Sequence, residues 1–262
     1  MEKTKKHFIF TIDDNVRFFR ELTEENLASL FAHPYLALLQ KMHTQFNVKV
    51  QLNCFLEDMQ GFNLSMMSER YKSEWEENSD WLKLSFHSKK EFPIEPYKQA
   101  SYAEMYDDCV AVHREIERFA GVKNLAKTTT VHYCLATEDG VQALKDCSVK
   151  GLLGLYGTEE DSRDSYVCSS KESDSIRKGN IVEKDGMYYM AIDVILNMHE
   201  PLRIVALLEN LKDRNTVAVM IHEQFFYKDY PYYQSNFREK LEKTFQYLTD
   251  NGFESAFYED LL

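Results

Sequence analysis

The first apolar run, Phe8, Ile9, Phe10 and Ile12, stops at two adjacent carboxylates, Asp13 and Asp14. A run of this kind reads as a buried strand. A strand so apolar cannot bury two unpaired charges, so the pair belongs at its C-terminal end, facing a polar cavity. Residues 22–46 carry helical spacing with a break at His33-Pro34. Val48, Val50, Leu52 and Cys54 then alternate with Lys49, Gln51 and Asn53 as a second strand. Residues 63–77 read as a helix, and residues 81–88 as a third strand ending in His87 and Ser88. Residues 101–119 predict a long amphipathic helix, with Gly121 as its stop.

A fourth strand over 128–135 carries His132, a short helix covers 137–146, and a fifth strand covers 151–156. The Ser-, Asp- and Glu-rich residues 158–178 predict a loop or inserted flap. Lys184-Asp185-Gly186 between apolar runs predicts a β-hairpin, and Pro201 opens a helix. Residues 216–221 are the clearest buried strand and end at His222-Glu223. A helix over 234–251 and a strand over 253–258 close the chain.

Alternation of strands and helices calls for a mainly parallel α/β sheet with helices outside. The length and about seven strands favour a barrel, complete or not, over an open sheet. Only 9 glycines and 5 prolines argue against a many-stranded sandwich. One domain is expected over residues 1–262, with the flap and hairpin at about 158–197 as an insertion. No Gly-x-Gly-x-x-Gly or Walker loop follows any strand, which weakens a nucleotide-binding reading.

A net charge of −12 argues against nucleic acid and anionic membrane surfaces as nonspecific partners. No apolar run approaches a bilayer span, and the basic Met1–His7 stretch lacks the long apolar region of a secretory leader. A cytoplasmic protein is therefore expected. The five scattered cysteines suit reduced thiols rather than a zinc knuckle or a Cys-x-x-Cys pair.

Polar residues end several of the predicted strands: Asp13 with Asp14, His87 with Ser88, His132, and His222 with Glu223. In a barrel these positions meet at one mouth. Singly, each has a plain reading as a hydrogen-bonded loop residue. Their recurrence at strand ends points to metal binding or proton transfer.

At these residues the chain resembles the polysaccharide deacetylases, the NodB-like carbohydrate esterases. Thr11-Ile12-Asp13-Asp14-Asn15 is similar to the family's first motif, Thr-Phe-Asp-Asp-Gly. His87-Ser88-Lys89-Lys90-Glu91 is similar to its second, His-Ser/Thr-x-x-His, with Glu in the last place. Met220-Ile221-His222 is similar to its late apolar-apolar-His motif. The resemblance implies a distorted (β/α)7 barrel and metal-dependent removal of acyl groups from amino sugars. It implies Asp13 as base, Asp14, His87 and Glu91 as metal ligands, and His222 as general acid.

There are departures. The family's Arg-x-Pro-x-Gly motif has no clear counterpart, so the Arg that would orient Asp13 is missing. Asn15 stands in place of Gly, an exchange that a left-handed position tolerates. Glu91 keeps a ligand type acceptable to zinc, the most expected divalent ion, while adding negative charge. His132 is an additional ligand or a substrate contact; the sequence leaves both open.

The expected function is hydrolysis of an acylated amino sugar or another C–N bond, on a small soluble substrate. The alternative is a catalytically impaired barrel that binds metal and carbohydrate as a binding or regulatory module. A sugar-metabolising barrel with its metal elsewhere is a third reading. Oligomeric state is not legible.

Overall fold

The computed structural model describes residues 5–157 and 165–262. Parallel strands β1 (Lys6–Asn15), β2 (Val50–Phe55), β3 (Leu82–Ser88), β4 (Thr128–Thr129) and β5 (Gly151–Gly154) follow in order. They are separated by α1 (Arg17–Glu25), α2 (Pro34–Phe46), α3 (Lys72–Glu77), α4 (Tyr102–Phe119) and α5 (Glu138–Asp146). After α6 (Ser170–Arg177) come β6 (Val182–Lys184), β7 (Met187–Ala191), β8 (Val194–Ile195) and α7 (Pro201–Glu209). Then β9 (Thr216–His222), α8 (Phe237–Asp250) and β10 (Phe253–Ser255) complete the order.

One sheet runs β3-β2-β1-β9-β8, with β10 also paired to β1, and a second runs β4-β5-β7-β6. Backbone bonds stitch the two. The amide of Ala126 donates to the carbonyl of Leu84 at 2.8 Å, just before β4. On the other side, the chain leaving β7 bonds back to β5 through Ile192, then crosses to β9 as β8. Counting β7 and β8 as one bent strand, the two sheets supply seven strand positions in the order of a distorted (β/α)7 barrel. β6 alone is antiparallel, as the outer arm of the hairpin on β7. Its turn residues, Asp185 and Gly186, have φ of 52° and 78°, the left-handed pair that a two-residue hairpin demands.

Alternation along the strands sorts the core. Phe8 and Phe10 point outward onto Phe245 of α8. Gln51 and Asn53 of β2 point inward, where both are buried. The polar face of β2 therefore lines the barrel, and its amides need partners there.

Four expectations are corrected. Residues 63–77 are two short 3-10 turns and the brief α3, because the Asn63 and Ser68 side chains accept from Ser65 and Arg70 amides. Such bonds compete with helix continuation. The helix expected from residue 22 begins earlier, at Arg17, and ends at Glu25. The fourth strand is only Thr128–Thr129, since Tyr133 and Cys134 adopt φ of 62° and 57° and turn the chain away. The predicted loop at 158–178 contains α6, started by a capping box between Ser169 and Glu172; residues 158–164 of that loop lie outside the described residues.

Candidate metal and proton-transfer site

The site begins with an irregularity in β1. Strict alternation would send the side chains of Asp13 and Asp14 to opposite faces. Instead the register against β2 shifts between Ile12 and Asn15, and Asp14 takes φ 62°. The bulge aims both carboxylates into one cavity, as bulges beside sites do. Asn15 locks it: its Nδ2 donates to the Ile12 and Asn53 carbonyls at 2.5 and 3.0 Å, and its Oδ1 accepts from Tyr35 Oη at 2.9 Å. The left-handed residue is thus Asp14, not the Asn15 expected to replace a glycine.

Around Asp14 the strand ends supply two imidazoles. His87, at the end of β3, has Nε2 3.1 Å from Asp14 Oδ1. His132, presented by the turn after β4, has Nδ1 3.1 Å from His87 Nε2 and 3.4 Å from Asp14 Oδ1. The ligand atoms of Asp14, His87 and His132 all lie within 4.8 Å of one another, and all three residues are buried. The far nitrogens are each tied to a carbonyl: His87 Nδ1 to Thr130 O, and His132 Nε2 to Glu91 O at 3.2 Å. A carbonyl only accepts, so those nitrogens carry the protons. The near nitrogens then turn lone pairs toward the same carboxylate, the orientation that second-sphere carbonyls give metal-ligating histidines.

The electrostatics describe a site short of positive charge. Burial drives the Asp14 carboxyl upward, but its hydrogen bond to His87 and the surrounding imidazoles outweigh that and hold it below the ordinary range. Burial opposes protonation of His87, yet Asp13 and Asp14 raise its pKa. His132 goes the other way: burial and the neighbouring His87 push it down to about 4. The space between Asp14 Oδ1 and the near nitrogens of His87 and His132 is the place that a cation fits. One carboxylate and two neutral imidazoles form a donor set suited to zinc and similar divalent ions.

The sequence grouped Asp14 and His87 with Glu91. The structure places His132 in that group and leaves the Glu91 carboxylate outside it, exposed at the rim, with only its carbonyl engaged by His132. The reason is the chain's path. His132 leaves the strand at a left-handed turn and swings over the barrel mouth, whereas Glu91 follows β3 into an irregular loop.

Asp13 lies beside this group, buried and off it. Its Oδ1 accepts from Asn53 Nδ2 at 2.6 Å. The orientation of that amide is fixed from behind, because Asn53 Oδ1 accepts from Gln51 Nε2 at 2.8 Å and Ser85 Oγ at 2.6 Å. Burial raises the Asp13 carboxyl, against the opposing pull of His87, His222 and Asn53. His222 pairs in register with Asp13 on the adjacent β9, and its Nδ1 lies 2.9 Å from Asn197 Oδ1. Asp13, Asp14, His87, His132 and His222 line one cavity of about 340 Å³, at the small end of ligand pockets.

Glu223, another polar strand-end residue, does different work. Its carboxylate accepts from the amides of Val16, Arg17 and Phe18 and from Tyr227 Oη, which holds the start of α1. Three residues at the site escaped the sequence reading: Asn53, Asn197 and Gln224, whose Nε2 donates to Asp14 Oδ2 at 2.7 Å. Only Asn53 left a signal. A polar position on a strand covered on both sides must find a partner inside.

No family model matches the chain, and no curated protein matches it. Solved structures do. A family 4 acetyl xylan esterase from Clostridium thermocellum, in complex with a cobalt ion, is 14% identical. The match covers 98% of this chain and 90% of that one, with a TM-score of 0.53. A CE4 family pseudoenzyme from Bacillus anthracis is 13% identical over 98% of this chain and 66% of its own, with a TM-score of 0.54. A 4-alpha-glucanotransferase from Thermococcus litoralis is 15% identical over 98% of this chain and 40% of its own, with a TM-score of 0.61. At such identities the likeness is one of fold, and the fold is the one that the sequence motifs implied. No helix among the described residues is long and apolar enough to cross a membrane.

Proposed function

We propose that this chain, which has the fold of the CE4 deacetylases and esterases, is a divergent metal-dependent deacylase acting on a small acylated amino sugar. The observation that carries the reading is the convergence of Asp14, His87 and His132, with both imidazole lone pairs turned inward and both far nitrogens held by carbonyls. A divalent ion there, zinc by its donor set, would polarise the acyl carbonyl and acidify a water molecule.

The chain's own residues supply the rest. Asp13, held off the metal group by Asn53, takes the proton from the attacking water. His222, one strand away, gives a proton to the leaving amine nitrogen, and Asn197 accepts from its Nδ1–H to present Nε2 to the cavity. Tyr133, Phe225 and Tyr230 line the cavity and offer ring faces to a sugar.

A second reading, a barrel that binds metal and sugar without turnover, is favoured by one feature. The partner of Asp13 is a neutral amide, where the family's motif would provide an arginine. One of the structures of similar fold is described as a pseudoenzyme.

Acetate release from N-acetylated glucosamine oligomers by the zinc-loaded protein separates the two. Turnover that falls roughly 10²–10⁴-fold in Asp13→Asn, with metal content unchanged, supports the deacylase. Stoichiometric zinc with no acetate released from any acylated amino sugar supports the binding module.

A further inference from the structure

With His132 in the metal group, the Glu91 carboxylate is left over. It stands where the cavity above the metal group opens into a second recess, and it borders both, together with Asp14, Gln224 and Tyr230. The other charges of the second recess are already matched. Arg20 pairs with Asp58. Arg17 holds Glu21 at 2.7 Å and Asp229 at 2.8 Å, with its guanidinium 3.9 Å from the Tyr227 ring centre. Lys90 lies 3.8 Å from Glu57, and Glu223 is consumed by the start of α1. The Glu91 side chain, by contrast, has no hydrogen bond or ion pair among the described residues.

Two aromatic rings share its neighbourhood. Tyr133 and Tyr230 line the same cavity as Glu91, and Tyr230 borders the second recess with it. An unmatched carboxylate beside tyrosine faces is a receptor for an ammonium group, which gains from the charge and the ring quadrupoles together. Apart from the metal group itself, the side chains of the cleft offer no unmatched cation to an anionic substrate. A chain of net charge −12 also draws cations toward its mouth.

We propose that Glu91, flanked by Tyr133 and Tyr230, receives an ammonium group carried by the substrate beside the scissile amide, so that the protein selects cationic acylated amines over neutral or anionic ones. This rests on the deacylase reading only for which bond is cut. The ammonium has two possible sources, a free amine on a neighbouring amino-sugar unit or the far end of an acylated polyamine.

The test uses probes that carry no acyl group, so binding is read without turnover. The zinc-loaded wild-type protein and Glu91→Gln are titrated calorimetrically with glucosamine dimer against cellobiose, and with putrescine against 1,4-butanediol. We expect at least tenfold tighter binding of the cationic member in one pair, falling to within twofold in Glu91→Gln. The pair that shows the preference identifies the source. Equal binding in both pairs overturns the proposal, and so does a preference that survives in Glu91→Gln, which would be amine coordination to zinc. A Glu91-dependent preference without acetate release from any acylated ligand would sink the deacylase reading and leave this one standing.

Discussion

Replacing His132 with Ala removes one nitrogen from the metal group without touching its backbone turn. Structural zinc sites with four ligands are worth about 10–16 kcal/mol. One ligand therefore carries on the order of 3 kcal/mol, or about a hundredfold in affinity. The group is buried, and His132 Nδ1 lies within 3.4 Å of both His87 and Asp14, so its loss opens the site on that side. Glu91→Gln, outside the group, should leave zinc affinity within about threefold. Linkage turns the difference into a melting shift. At zinc 100 times the wild-type dissociation constant, the wild type gains about 2.7 kcal/mol, or roughly 5–10 °C for a chain of this size. At the same zinc concentration His132→Ala gains only about 0.4 kcal/mol, roughly 1 °C. Chelator competition gives the affinities and scanning fluorimetry the shifts. Equal losses in Glu91→Gln and His132→Ala, or a wild type whose melting point ignores zinc, would refute the assignment.

Two further predictions concern the scaffold. Glu223→Ala leaves the amides of Val16, Arg17 and Phe18 without their acceptor and should cost about 3 kcal/mol, read as a lower urea midpoint. Glu223→Gln, keeping one acceptor oxygen, should recover part of that loss. His113 is pushed down to about 4 by burial, against about 6.5 when unfolded. Between those values the unfolded chain binds a proton that the folded one refuses, so stability is complete above pH 6.5 and falls as the pH drops toward 4. His113→Gln should flatten that acid limb by about 3 kcal/mol in metal-free protein; an unchanged slope of stability against pH from 6.5 to 4 would show that His113 titrates normally.

The helical boundaries that could be read locally were those with a local cause. The capping box at Ser101 and Glu104, Thr137 at the head of α5 and the Asp185-Gly186 hairpin each act within a few residues. The misread segments had competing local bonds or unmarked turns. Asn63 and Ser68 divert their own backbone, and the left-handed Tyr133 and Cys134 carry side chains that ordinarily avoid that conformation.

The pattern of apolar and polar positions determined the parallel strands, their order along the chain, and the ends at which Asp13, Asp14, His87 and His222 stand. It also carried the motifs that pointed to the fold. Three features were decided only in three dimensions. The bulge between Ile12 and Asn15 turns both aspartates inward, the turn after β4 brings His132 rather than Glu91 to the candidate metal group, and the inner face of β2 sets Asn53 against Asp13. The physical reason is the same in each case. Spacing along a strand fixes which face a side chain takes, but which atoms meet across a barrel mouth depends on register and curvature. Those are settled between strands distant in sequence, where the buried carboxylates and imidazoles must find partners or leave their charge uncompensated.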